Sequence, residues 1–177
     1  MKVAELMTRN AKACSAQDSL NMAARIMWDN DCGFVPVVDR EGKVGGVLTD
    51  RDICMAAYTQ GLPLHAMLVE SAMADAVVSC SPQDDVAVAG NLMRENRVHR
   101  LPVIDSDGRL CGVISLTDIV RQARETDLGA LGSPEIAKTV AALSQPRGHT
   151  TAHIVFGPEE GELEFLPSTH PKRRQRQ

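Results

Sequence analysis

Two short stretches hold the residue types best suited to chemistry. In "GVLTDRD", Gly46 to Asp52, a hydroxyl at Thr49 stands three positions before a carboxylate at Asp52. "GVISLTD", Gly112 to Asp118, repeats the arrangement with Ser115 and Asp118. Each stretch begins as an apolar run and continues into a helical pattern, so hydroxyl and acid fall at a strand-to-helix junction. Backbone N–H groups without intrahelical partners collect there, and the helix dipole favours negative charge. Such an end suits a phosphate. The hydroxyl of Thr49 or Ser115 adds one more donor, and an ionised Asp52 or Asp118 can accept both hydroxyls of a vicinal diol such as ribose. A phosphate site beside a diol acceptor describes a nucleotide. The same spacing also makes a capping box, in which hydroxyl and acid close their own helix. "SAQD" and "SPQD" share it and need no ligand. Cap and ligand contact are compatible, since one turn can serve both.

The two stretches belong to a longer duplication, which sets the elements that must position them. Offset by 66, the chain matches itself without a gap, with 16 identities in the 47 positions from Met7 to Ile53. Cys14 falls on Cys80, Pro36 on Pro102, Asp39 on Asp105, Gly42 on Gly108 and Gly46 on Gly112. Within each copy the pattern predicts a short strand near Lys12 to Cys14 or Val78 to Cys80. A helix follows, capped by Ser15 or Ser81, with Pro82 at the first helical position of the second. Leu20, Ala23, Ala24 and Met27 mark its apolar stripe, as do Val86, Ala89 and Met93. Two β-rich runs joined through Asp and Gly predict a hairpin, and a second helix completes the unit. The expected fold class is α/β: two β-α-β-β-α units packed sheet against sheet about a pseudo-two-fold axis. The expected boundaries are residues 1–60 for the first unit, 61–72 for a linker, 73–125 for the second, and 126–177 for a short helix from Ser133 and a mostly flexible tail.

On "FVPVVD" and "RLPVID", the hairpin glycines Gly42 and Gly108, and the two junction stretches, the unit resembles a CBS domain. Over about residues 1 to 125 the tandem resembles a CBS pair, or Bateman module. "VLTDRDI" followed by a Gly-Leu linker is similar to stand-alone CBS-pair proteins of bacterial stress responses. The resemblance implies two clefts between the repeats that take an adenosine-type ligand: AMP, ADP, ATP, S-adenosylmethionine or NAD. By the family's motif, Asp52 and Asp118 hold ribose, and Thr49 and Ser115 meet phosphate. Backbone near Ala13 and Ser79, with the side chains of Val35, Pro36, Leu101 and Pro102, encloses adenine. Arg51 stands where the second copy has Thr117, which implies different phosphate preferences. Arg100 and His99, opposite Phe34 and Gly33, add a further asymmetry. The implied role is regulatory signal transduction, with the nucleotide as regulatory ligand, no required cofactor, a disc-like homodimer and a separate effector protein. Relatives of this fold that bind no nucleotide make an interaction scaffold the alternative.

Composition narrows the classes. Across 177 residues, 44% are hydrophobic but only 3% aromatic, so few rings exist on which nucleic-acid bases could stack. The net charge of -4 gives the body of the protein no footing on DNA. No apolar run reaches the roughly 18 residues of a membrane helix, and "MKVAELMTRNAK" has no signal-peptide core. Five cysteines without a C-x-x-C pair point to a reducing cytoplasm. Cys14 and Cys80 are expected as core thiols rather than a redox pair. No nucleophile–base pair or glycine-rich phosphate loop occurs, so no enzyme is expected and no catalytic residue is assigned. His149 and His153 in "HTTAH" lack helical context, so no metal site is assigned. The basic end "HPKRRQRQ" is expected to be a solvated tail.

Overall fold

The computed structural model describes residues 1–125 and 138–141. The chain opens with helix α1 (Val3–Leu6) and strand β1 (Thr8–Arg9). Helix α2 (Leu20–Asp29), strands β2 (Phe34–Val38) and β3 (Val44–Thr49), and helix α3 (Asp50–Gln60) complete the first copy. Two 3₁₀ turns, Leu64–Ala66 and Val69–Ser71, lead into the second: α4 (Val86–Asn96), β4 (Arg100–Ile104), β5 (Leu110–Ser115) and α5 (Leu116–Glu125). Residues 138–141 are helical.

The hairpins follow from their turn residues. Asp39 Oδ1 accepts the N–H groups of Glu41 at 2.8 Å and Lys43 at 2.9 Å. Asp105 Oδ1 does the same for Asp107 at 2.9 Å and Arg109 at 2.8 Å. The last turn residue takes a left-handed conformation, φ 81° at Gly42 and 80° at Gly108, which a side chain would oppose. The β2–β3 and β4–β5 registers match, and each carries an irregularity before its turn.

Two features of the expected unit are corrected. The strands near Lys12 and Val78 shrink to single parallel bridges, Cys14 with Val37 and Cys80 with Val103. Extending either ladder toward the N-terminus needs an N–H that Pro36 and Pro102 lack. Nor do Ser15 and Ser81 cap helices. Their N–H groups meet Asp18 Oδ2 at 2.8 Å and Asp84 Oδ2 at 2.7 Å, closing turns that precede the helices. Helix α2 is capped by Ser19, whose Oγ accepts the Met22 N–H at 3.2 Å. At the start of α4, Asp85 pairs with Lys2 at 3.0 Å instead of capping.

The cause is an exchange of segments between the copies. Leu20 N–H donates to the Met67 carbonyl at 2.8 Å, and Val69 N–H to Asp18 at 2.9 Å. In the same manner Val86 N–H donates to Met1 at 3.1 Å, and Val3 N–H to Asp84 at 2.9 Å. These bonds hold the stretches before α2 and α4 out of the helix. They also tie the 61–72 linker to the first copy. Met67 and Val69 complete the first core, with Leu20, Met27, Val35, Leu48 and Ile53. Val3 and Met7, from the far end of the chain, complete the second core with Met93, Leu101, Val103 and Ile114. Burying a side chain such as Val3 or Val69 contributes about 1.5–3 kcal/mol, so neither core is complete without the segment that enters the other copy.

Strands are exchanged too. Strand β1 pairs antiparallel with β5, Thr8 opposite Val113, while Ala74 pairs with Val47. The hairpin tips bond reciprocally, Val44 N–H to Gly108 and Leu110 N–H to Gly42, both at 3.0 Å. The repeat offset converts each bond of these pairs into the other, so the pseudo-two-fold axis passes between Lys43 and Arg109.

Candidate functional site

Both strand-to-helix junctions form the capping box in full. Thr49 Oγ1 accepts the Asp52 N–H at 3.2 Å. Asp52 Oδ2 accepts the Thr49 N–H at 2.9 Å and its hydroxyl at 2.6 Å. Ser115 and Asp118 repeat the three bonds at 3.2, 2.9 and 2.6 Å. Each carboxylate is half-buried. In both, every bond goes to Oδ2, and Oδ1 accepts none among the described residues. The cap therefore occupies one oxygen and leaves the other to meet a diol.

The glycine that heads each stretch has its own task. A Cβ on Gly112 would lie 2.6 Å from the Thr8 carbonyl oxygen. On Gly46 it would lie 2.9 Å from Met73 Sδ and 3.2 Å from the Ala74 carbonyl oxygen. The missing side chain lets the exchanged segment run against the strand just before the junction. That brings first-copy residues beside the second-copy acid.

A cavity of about 420 Å³ results there. Its first-copy wall holds Thr8, Asn10, Ala11 and Lys12 from the entry segment, with Asn30, Asp31, Cys32 and Phe34 after α2. The opposite wall is Arg100, Val113, Ser115, Thr117, Asp118 and Arg121. The structure thus brings together four residues singled out from sequence: Arg100, Ser115, Thr117 and Asp118. Thr49, Arg51 and Asp52 line neither this cavity nor a second one, described below. Val35, Pro36, Leu101 and Pro102 lie apart from both cavities. All four are buried. Val35 and Leu101 fill their own cores, and the carbonyls of Pro36 and Pro102 accept the N–H groups of Cys14 and Cys80. Ala13 and Ser79 are half-buried and line neither cavity. From the stretch just before Ala13 the cavity takes Ala11 and Lys12.

Sequence reasoning missed Thr8, Asn10, Lys12, Asn30, Asp31 and Arg121. Arg121 was within reach of it, because a residue three positions past Asp118 shares its helix face. Asn10 and Asp31 face the cavity from left-handed backbone, φ 56° and 49°. No repeat identity marks them.

The second cavity, about 540 Å³, lies on the first copy between α2 and α3. Ala24, Met27, Trp28, Ile53, Cys54 and Ala57 line it, and Trp28 is 87% exposed. All five cysteines are free thiols. Burial, then the nearby Asp18 charge, pushes Cys14 up to about 11. Burial, then Asp84, pushes Cys80 up to about 12. Both stay protonated and poorly nucleophilic, and they sit in separate cores. Among the described residues no group of three or more His, Cys, Asp or Glu could hold a metal, and no helix is long and apolar enough to cross a membrane. His149, His153, Ser133 and the basic C-terminal cluster lie outside the described residues.

The family model for the CBS domain matches residues 3–58 and again 69–125. The chain belongs to the CBS domain family. Its α/β fold of two CBS repeats agrees with solved CBS pairs. The CBS domain pair of protein MJ0100, in complex with 5′-methylthioadenosine and S-adenosyl-L-methionine, is 22% identical at TM-score 0.65, over 71% of this chain and 97% of that one. CBSX2 in complex with AMP is 24% identical at TM-score 0.62, over 70% and 96%. At these identities the likeness is one of fold. The CBS domain-containing protein YhcV of Bacillus subtilis is 32% identical over 117 residues, 66% of this chain and 81% of that protein. An inosine-5′-monophosphate dehydrogenase of Methanocaldococcus jannaschii is 30% identical over 123 residues, 70% of this chain. The chain spans only 24% of that enzyme's length, and the matched part is its CBS region.

Proposed function

We propose that this CBS pair binds an adenosine-type ligand in the cleft beside Asp118 and passes its occupancy on as a regulatory signal, without catalysing a reaction. The observation that carries this reading is the position of Asp118. Its Oδ2 is held by Ser115 while its residue lines a cavity bounded by both copies. An acceptor fixed in orientation, with a second oxygen uncommitted, suits a ribose diol. The adjoining start of α5 and the side chains of Ser115 and Thr117 suit a phosphate. A ligand held between the copies favours arrangements in which both walls meet it, and that difference in affinity is the signal. Ligands named for the two solved relatives, AMP, S-adenosylmethionine and 5′-methylthioadenosine, give the class.

The output passes to a second copy and to a separate effector in the cytoplasm. The exposed Trp28, Met55 and Tyr58 on α2 and α3 give the homodimer an apolar face. One observation favours the scaffold reading: both capping boxes are satisfied without any ligand. Titration calorimetry with AMP, ATP, NAD and S-adenosylmethionine decides between the two. Saturable heat that Asp118→Ala removes supports the sensor. No heat with any of them leaves the scaffold.

A further inference from the structure

The groove between α2 and α3 brings together two thiols to which the reading above gives no task. Cys32, just past α2, is half-buried, and Cys54, on α3, is exposed. Both line the cavity of about 540 Å³ on the first copy. Under the repeat offset their counterparts are Val98 and Val120, so the second copy has no thiol at either place. Cys14 and Cys80 are shut in separate cores.

Local geometry holds Cys32 and Cys54 on one side. Phe34 of β2 stands opposite Thr49 of β3, and the contact continues past both strand ends. The Asp50 N–H donates to the Gly33 carbonyl at 3.4 Å, and a Cβ on Gly33 would lie 2.6 Å from Asp50 Oδ2. The turn that carries Cys32 therefore abuts the first turn of α3. Cys54 follows Asp50 by four positions, on the same face of that helix. Closing a disulfide needs Cα atoms about 4.4–6.8 Å apart. Cys32 belongs to neither helix nor strand, and Asp31 before it holds left-handed backbone, φ 49°. The turn can thus reshape toward α3 without unwinding an element.

The same turn has a second face. Asn30, Asp31 and Cys32 also line the cleft beside Asp118. We propose that Cys32 and Cys54 form a reversible disulfide that bridges the groove and, by drawing residues 30–32 toward α3, loosens the first-copy wall of the ligand cleft. The dithiol is a site in its own right, and its effect on the ligand rests on the reading above. The oxidant is a low-molecular-weight disulfide such as oxidised glutathione. The Cys54 thiolate, the more accessible, attacks one of its sulfurs and expels a glutathione thiolate. The Cys32 thiolate then attacks the Cys54 sulfur of the mixed disulfide and expels the second. Two protons and two electrons leave the protein, and one oxidised glutathione becomes two reduced. In a reducing compartment such bonds are transient and regulatory.

The test exposes the full chain to oxidised glutathione, blocks the remaining thiols with iodoacetamide and digests it without reductant. Mass spectrometry should find the tryptic peptide 26–40, which holds Cys32, joined to the one that begins at Asp52, with two hydrogens lost and dithiothreitol restoring both. Calorimetry with AMP should show binding to the oxidised protein weakened at least about fivefold, the low end of coupling between two sites. Cys54→Ser should bind AMP as the reduced wild type does and lose the response to oxidation, and thermal melting checks that it folds. Cys54 found only as its glutathione adduct, or joined to Cys54 of a second copy, would overturn the disulfide. A Cys32–Cys54 bond that leaves AMP affinity unchanged would overturn its control of the cleft. If AMP binds neither form, the ligand reading and the coupling fail together, and the peptide masses decide the disulfide alone.

Discussion

Replacing Asp52 and Asp118 separately by alanine splits the two tasks that the structure combines in one residue type. Each carboxylate accepts the N–H of its cap residue at 2.9 Å and the hydroxyl at 2.6 Å, so each substitution removes the same two bonds. Losing a cap costs about 1 kcal/mol, and removing a negative charge from a helix start adds about 0.3–1 kcal/mol. Each variant should therefore lose about 1–2 kcal/mol, and the two losses should agree within about 0.5 kcal/mol. Ligand response should not agree. At a hundredfold excess over Kd, a ligand stabilises the folded state by about 2.7 kcal/mol. Asp52→Ala should keep that increment with AMP, because Asp52 lines neither cavity, and Asp118→Ala should lose it. Urea denaturation with and without AMP measures both quantities. Equal loss of the AMP increment in the two variants would refute the assignment of the ligand to the cleft beside Asp118. Unequal losses of stability without ligand would refute the equivalence of the two caps.

Three further outcomes follow from the geometry. Gly112→Ala forces a Cβ to 2.6 Å from a backbone oxygen, whereas Gly46→Ala first meets the flexible Met73 thioether. By urea denaturation, Gly112→Ala should cost about 1–3 kcal/mol and Gly46→Ala less, and the reverse order would contradict the strand exchange. Iodoacetamide at pH 8 should modify the exposed Cys54 and spare Cys14 and Cys80, pushed up to about 11 and about 12, as peptide mass spectrometry can show. The backbone N–H of Lys43, helped by those of Glu41 and Gly42 and by the Lys43 charge, holds the exposed Asp39 carboxyl below its usual range. A carboxyl held low in the folded state contributes its stabilisation in full above the ordinary aspartate range, and that contribution is lost as pH falls through the depressed folded value. Carbon NMR titration should place Asp39 below a disordered aspartate, and an ordinary midpoint would rule out the turn bonds.

The duplication was legible because identities fall on positions with strict backbone or core demands. Gly42 and Gly108 need positive φ, Gly46 and Gly112 need room, and Asp39 and Asp105 hold turns. Both capping boxes were legible for a like reason, since their bonds span only three residues. Strand exchange was not. Met67 and Val69 repeat Met1 and Val3, yet the match is short, and pairing between distant segments leaves no local signature. The helix starts were misplaced through the same exchange, because long-range bonds to Met67 and Met1 overrode the local caps at Ser15 and Ser81. The cavity beside Asp118 takes in Arg100, Ser115, Thr117 and Asp118, all singled out from sequence, together with Arg121 and the residues of the other copy, which were not. Val35 and Leu101, assigned to a ligand by likeness, are buried in the cores of their own copies.

The exchange also ties the cleft to the stability of the whole pair. Lys12 and Asp118 belong to different copies, and what keeps them adjacent is β1 on β5, with Thr8 opposite Val113. That pairing depends on Gly112, and its entry segment is anchored by Val3 and Met7 in the second core. A ligand that contacts both walls must then stabilise the exchanged arrangement over any opened one, in proportion to its occupancy. Conversely, a substitution that loosens β1 should weaken the ligand without touching it. Gly112→Ala is such a substitution: it lies outside the cavity lining, yet AMP affinity should fall together with stability. A variant with lost stability and unchanged AMP affinity would show that the walls meet by some other means.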